Sequence, residues 1–142
     1  MKTSIQTLLI AASLSLFAIG FAEAAQLKLP SNMTVAAVDG SKPQTGSPEL
    51  APGEHLLELK FADYYAVNAE DSGQWLRSGP LYVQLTVGDE QALSIKLPPV
   101  KTIEQGRSFL KRPEVTLSRD GKESTTTLMD HAALMAWMAK SH

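Results

Sequence analysis

The sequence predicts a mostly β domain: a small antiparallel β-sandwich or open barrel with one C-terminal helix. Three observations predict it. Apolar and polar residues alternate with period two in several separate runs, as in strands that turn one face to a core and the other to water. Asp39-Gly40 and Asp120-Gly121 close two of the runs, and both pairs accept the positive φ of tight turns. Only the tail changes to helical spacing.

The chain opens with a segment that does not belong to the domain. Met1-Lys2 is a short basic start, and Leu8 to Phe21 is apolar except for Ser13, Ser15 and Gly20. Ala22-Glu23-Ala24 then places small residues at the two positions that signal peptidase reads. This is the order of a secretory signal peptide, and the apolar run is shorter than the roughly 20 residues of a membrane span. Residues 1–24 are therefore expected to be removed after Ala24. A single periplasmic domain of residues 25–142 would remain, without a membrane anchor. The chain has no cysteine, which rules out both disulfides and a cysteine-linked lipid.

Lys2 and Glu23 cancel, so the domain keeps the net charge of −2 of the whole chain. That balance argues against a nucleic-acid partner. The charge is unevenly spread, with four basic and nine acidic residues from Ala25 to Ile95 but eight basic and five acidic beyond.

Short strands are expected at Gln26–Leu29 and Met33–Val38. Leu57, Leu59 and Phe61 alternate with Glu58 and Lys60, and Leu81, Val83, Leu85 and Val87 with Tyr82, Gln84 and Thr86. Leu93, Ile95 and Leu97 continue the pattern, and Gly88-Asp89-Glu90 is short enough to join these last two runs as a hairpin. Leu59, Val83, Leu85 and Ile95 should face the core. Further strands are expected at Glu114–Arg119 and, weakly, Glu123–Thr127. Two stretches interrupt the pattern. Ala62 to Gly79 reads as a long polar and aromatic loop, and Pro98 to Pro113 starts with two residues that lack amide hydrogens.

The C-terminal helix is expected over residues 127–141, with Thr127 as N-cap and Asp130 three residues on. Leu134, Trp137 and Met138 fall at i, i+3, i+4 spacing, and Met135 lies beside them. Packing on the sheet is the expectation for this face, and a partner-binding surface the alternative, since methionine and tryptophan suit adaptable interfaces.

Residues for catalysis are few. His55 shares a strand face with Leu57 and Leu59, which suits a hydrogen-bonded histidine at the core's edge better than a base. His131 lies on the expected helix and His142 ends the chain. The sequence lacks the metal, nucleophile-elbow and phosphate-loop motifs. The adjacent carboxylates Glu70-Asp71 and Asp89-Glu90 would point to opposite faces or to water. The expectation is a protein that is not an enzyme, with no catalytic residue, no metal ligand and no cofactor.

A binding surface remains. Tyr64, Tyr65 and Trp75 lie within the Ala62–Gly79 stretch, near Asp63, Asn68, Glu70, Asp71, Gln74 and Arg77. Aromatic faces stack on sugars or anchor peptides, and neighbouring polar groups fix their orientation. Tyr64, Tyr65, Trp75 and Arg77 are the candidate binding residues. The competing expectation is a loop whose aromatics cap one end of the sandwich.

The stretch from Thr34 through Val38-Asp39-Gly40 to Lys42, followed by Leu50-Ala-Pro-Gly-Glu-His-Leu-Leu-Glu-Leu59, resembles the YccT-like family of small periplasmic proteins. The likeness continues through Gly79–Leu85, Leu93–Pro98, Pro113–Gly121 and Leu134–Met138. The Asp-Gly and Pro-Gly-x-His part also resembles the sugar-associated PEGA type of β-domain, through residues that make turns rather than contact ligand. The first resemblance implies an exported, non-enzymatic protein, linked in some members to restraining the assembly of curli, extracellular amyloid fibres. It carries over no binding residues. Two functions follow as expectations: an interaction module for another polypeptide, such as an unfolded secreted subunit, or a carbohydrate or cell-wall binding module.

Overall fold

The computed structural model describes residues 24–66, 70 and 72–141. The expected signal peptide, apart from Ala24, lies outside them, as do Asn68, Asp71 and His142. The elements in chain order are β1 (Ala25–Lys28), β2 (Met33–Val38), β3 (Glu49–Leu50), β4 (Gly53–Tyr65), β5 (Gln74–Arg77), β6 (Leu81–Val87) and β7 (Ala92–Lys96). Then follow α1 (Ile103–Lys111), β8 (Glu114–Arg119), β9 (Lys122–Thr127) and α2 (His131–Lys140).

The strands form two open sheets. One runs β3-β1-β7-β8-β9; in the other, β4 pairs with β2, β5 and β6. All the pairings are antiparallel except β1 with β7. The mostly β fold with a C-terminal helix is as expected, and the structure adds a second helix, α1. Alternation places Leu57, Leu59 and Phe61 of β4 against Leu27, Leu93 and Val115 of the other sheet, all essentially inaccessible to solvent. Leu59, Val83, Leu85 and Ile95 are buried as the period-two pattern requires.

Both Asp-Gly pairs take the left-handed conformation, with φ of +51° and +80° at Asp39 and Gly40 and of +47° and +87° at Asp120 and Gly121. The Gly88–Gln91 segment is not a hairpin. It carries the chain from β6 in one sheet to β7 in the other. Glu90 accepts from the Gly88 N–H at 2.6 Å and meets Arg119 at 3.4 Å, while Arg119 also donates to the Thr86 carbonyl at 2.6 Å. Side-chain bonds thus hold a corner that strand pairing would otherwise hold.

Helix α1 begins with a capping box: Thr102 accepts from the Gln105 N–H, and the Gln105 side chain accepts from the Thr102 N–H. It buries Gly106 and Phe109, and the Phe109 ring meets Phe61 at 5.5 Å between centroids. Helix α2 starts later than expected. Asp130, not Thr127, is its N-cap and accepts from the Ala133 N–H at 2.7 Å. Thr127 is still paired with Glu114 as the last residue of β9. The core-packing expectation for α2 is also corrected, because only Leu134 is buried while Met135, Trp137 and Met138 are exposed. Leu128 and the bridge from Met129 to Tyr82 already close that side of the sandwich.

Candidate functional site

The Ala62–Gly79 stretch is not a long loop. The end of β4 continues into it and pairs with β5, giving Ala62↔Arg77, Asp63↔Leu76, Tyr64↔Trp75 and Tyr65↔Gln74. Directly opposed residues of an antiparallel pair share a face, and neighbours along a strand alternate. Tyr64, Trp75 and Arg77 therefore lie on one face of the hairpin, and Tyr65 and Leu76 on the other.

The two faces differ in kind. Tyr64 and Trp75 are 44% and 52% exposed, and their rings meet edge-on at 5.4 Å with 60° between planes. The Arg77 guanidinium carbon lies 4.7 Å from the Trp75 ring centroid, a cation–π contact. The Tyr64 hydroxyl donates to the Ser72 carbonyl. Gly73 sits at φ +61°, and a Cβ there would lie 2.8 Å from the Tyr65 carbonyl oxygen, so the turn into β5 requires glycine.

Tyr65 belongs to the other face and is only 7% exposed. It packs with Leu76 against α1, where a Cβ on Gly106 would lie 2.7 Å from both the Tyr65 hydroxyl and Leu76 Cδ2. Burial, and then the Asp63 carboxylate, raise the Tyr65 pKa above its ordinary value. The structure thus brings Tyr64, Trp75 and Arg77 together and sets Tyr65 apart.

The main chain of β5 adds a feature that composition does not reveal. The Ser78 N–H donates to the Phe61 carbonyl at 2.8 Å, and the Phe61 N–H donates to the Ser78 hydroxyl at 2.8 Å. Antiparallel alternation from that point directs the amide groups of Leu76 and Gln74 to β4 and those of Trp75 and Arg77 outward. Among the described residues no strand pairs with that outer edge. β6 continues β5 along the same side of β4, with the register slipping by one residue across Ser78–Pro80. Its outer edge is partly covered, because Tyr82 exchanges two backbone hydrogen bonds with Met129.

Elsewhere, His55 is half-buried at the edge of the core, bonded through both ring nitrogens, and His131 is exposed at the start of α2. Among the described residues no group of three histidine, cysteine or acidic side chains could hold a metal ion. No described helix is long and apolar enough to cross a membrane.

Comparison with known proteins gives the chain its relatives. It is 28% identical over 105 residues to a UPF0319 protein of Shewanella oneidensis, covering 70% of this chain and 46% of that protein. A UPF0319 protein of Shewanella baltica is 26% identical over 105 residues, with the same coverage. The chain thus spans about half the length of the curated relatives it matches. No solved structure matches it. The profile of a family described as an uncharacterized protein conserved in bacteria, DUF2057, matches residues 26–135, and the chain belongs to that family.

Proposed function

We propose that the protein is a non-enzymatic periplasmic interaction module that holds an extended polypeptide along the outer edge of β5. One observation carries this reading. The residues whose amide groups point outward from β5, Trp75 and Arg77, are the same two that present an exposed indole and guanidinium beside Tyr64. An added strand would take its main-chain hydrogen bonds from the edge and its side-chain contacts from the aromatic face. Aromatic and arginine side chains are also the usual anchors of protein interfaces.

The carbohydrate reading has less support. Sugar stacking asks for a flat platform, whereas Tyr64 and Trp75 meet at 60° and Tyr65 faces the core. The start of β1 at Ala25 agrees with a domain that follows a signal cleaved after Ala24. The YccT-like resemblance suggests the kind of client: an unfolded secreted fibre subunit, whose assembly the module would restrain.

The test is a pull-down from periplasmic extract beside a glycan array, each run with the native chain and with Arg77→Ala. Capture of extended polypeptides that weakens in the variant is expected. Glycan binding without polypeptide capture would refute the proposal, as would finding the protein only in the cytoplasm.

A further inference from the structure

At the opposite end of β4 from the aromatic hairpin, three segments meet on one imidazole. His55 Nδ1 lies 2.7 Å from the Asp39 carboxylate, and Nε2 lies 2.6 Å from the Ala51 carbonyl. Asp39 directly follows β2, Ala51 directly follows β3, and His55 is in β4. β3 belongs to one sheet, while β2 and β4 belong to the other. The imidazole therefore ties the two sheets together at one end of the sandwich.

Both partners can only accept hydrogen bonds. A neutral imidazole carries one N–H, so it can satisfy one of them and must turn a lone pair toward the other. Only the imidazolium serves both. Asp39 is itself fixed: its second oxygen accepts from the Leu56 N–H at 2.8 Å, and its own N–H donates to the Leu56 carbonyl at 2.9 Å. After deprotonation the remaining proton stays on Nδ1, which donates to the carboxylate, the stronger acceptor. The Ala51 carbonyl then faces a lone pair, and that contact is the one lost.

We propose that His55 is a proton-operated latch between the two sheets, closed as the imidazolium and released at Ala51 when the ring loses its proton. Its surroundings suit the role. Leu85 lies opposite His55 on β6, and Leu57 follows it on the same face of β4; neither carries charge. Lys42 and Glu49, in the segment before Ala51, and Glu54, next to His55, are exposed, and none forms an ion pair with the ring. Among the described residues, Asp39 is the one charged side chain that pairs with it.

The titration behaviour agrees with the geometry. Burial works to lower the His55 pKa, but the Ala51 and Asp39 hydrogen bonds together outweigh it and hold the value above the ordinary 6.5. The Leu56 N–H and then His55 hold Asp39 below its ordinary 3.8. A raised histidine value means that the latch contributes fully below 6.5 and is lost as pH rises through the folded value. A lowered carboxylate value means that its contribution is present above 3.8 and is lost as pH falls through the folded value. The latch is therefore closed between the two folded values and opens as pH rises through that of His55, which lies above 6.5.

Opening frees the joint between β3 and β4 at Ala51–Gly53. Among the described residues, the backbone pairing of β3 with β1 consists of Ala25↔Leu50 and Gln26↔Glu49, together with the Leu27 N–H to the Pro48 carbonyl. Slackening at Ala51 should thus spread to this two-residue edge strand.

Nitrogen-15 NMR of the histidine rings across about pH 6 to about pH 8, the range in which histidine changes charge, tests the latch directly. Both His55 nitrogens should carry protons at the acidic end. The ring should titrate above 6.5, and the amide signals of Ala51, Gly53 and Leu50 should shift along the same curve. Asp39→Asn should lower the His55 midpoint, and His55→Gln should abolish the pH-dependent shifts at Ala51. A ring with one proton at the acidic end, or amide signals that ignore the His55 titration, would overturn the proposal. Should either variant fail to fold, the native ring and amide titrations decide the question alone.

Discussion

The pairing of Phe61 with Phe109 decides whether α1 is part of the core or merely lies on it. Phe61 is 1% exposed in the middle of the second sheet, and Phe109 is 4% exposed on a helix of nine residues. Their rings meet at 5.5 Å with 54° between planes. Truncating a buried phenylalanine to alanine costs about 3–5 kcal/mol, from lost transfer free energy plus the cavity left behind. A helix draped over a finished sandwich would instead lose within about 0.5 kcal/mol, as surface substitutions do. Phe109→Ala is thus expected to lower the urea midpoint by an amount equivalent to at least about 3 kcal/mol, with the slope unchanged. Milder Phe61→Leu and Phe109→Leu variants, made singly and together, isolate the contact. Edge-to-face and tilted ring pairs contribute about 0.5–1.5 kcal/mol beyond area burial, so the double variant should be less destabilised than the two singles added together. A Phe109→Ala midpoint equal to the native one, or strict additivity in the cycle, would show that α1 does not pack where the structure places it.

Three further outcomes follow from the same geometry. Leu85→Ala, at a position 2% exposed in β6, should cost about 2–5 kcal/mol in chemical denaturation; an unchanged midpoint would mean that the strand is in the wrong phase. Gly73→Ala places a Cβ against the Tyr65 carbonyl at a positive φ, and should lose about 1–3 kcal/mol by thermal or urea unfolding; a neutral result would remove the reason given for glycine at that turn. Trp75→Ala should weaken capture of an extended polypeptide by about 2 kcal/mol or more, as interface aromatics do. Its stability should stay within about 1 kcal/mol of native, since half the ring is exposed. Loss of stability with intact affinity would refute the binding face and turn attention to Met135, Trp137 and Met138.

What could be read from the sequence was what is local. β2, β6 and β8 occupy the runs Met33–Val38, Leu81–Val87 and Glu114–Arg119, because alternation and the turn residues that end a strand are both short-range signals. Which sheet a strand joins is not local. Gly88–Gln91 has the length of a hairpin, yet β6 and β7 separate because β7 finds β1 and β8. The β4–β5 hairpin was hidden by its composition, since alternation there separates exposed aromatics from buried Tyr65 rather than polar from apolar residues. A signal for α1 was present in Thr102-x-x-Gln105, a capping box, but Gly106 inside the helix and prolines on both sides spoke against it. Gly106 is there because α1 approaches Tyr65 and Leu76 too closely for a Cβ, a tertiary demand that overrides helix propensity. Of the candidate residues, the sequence named Tyr64, Trp75 and Arg77 without giving the face they share, and it did not separate Tyr65 from them.

The edges of the two sheets give a physical reason why β5 differs from the rest. An unpaired strand edge is a template for another chain, and folded proteins blunt such edges with short strands, charges, bulges or covering segments. β3 has only two residues. β9 is polar throughout and carries Lys122 and Glu123, the latter paired with Lys96 at 2.9 Å. β2 slips register against β4 between Val35 and Ala37, which disturbs its outer line of amide groups. β6 is bridged to Met129 through Tyr82. Each of these edges has a device that discourages an added strand. At β5 the outward amide groups belong to Trp75 and Arg77, and what stands beside them is an aromatic pair and a stacked guanidinium. Those groups discourage strand addition far less than a lysine or a bulge would, and they supply contact area for the side chains of an incoming segment. A lysine or proline introduced by Trp75→Lys or Trp75→Pro should therefore abolish polypeptide capture. The same substitution at Glu123, on the β9 edge, should leave capture intact; equal loss at both edges would mean that β5 is not the binding edge.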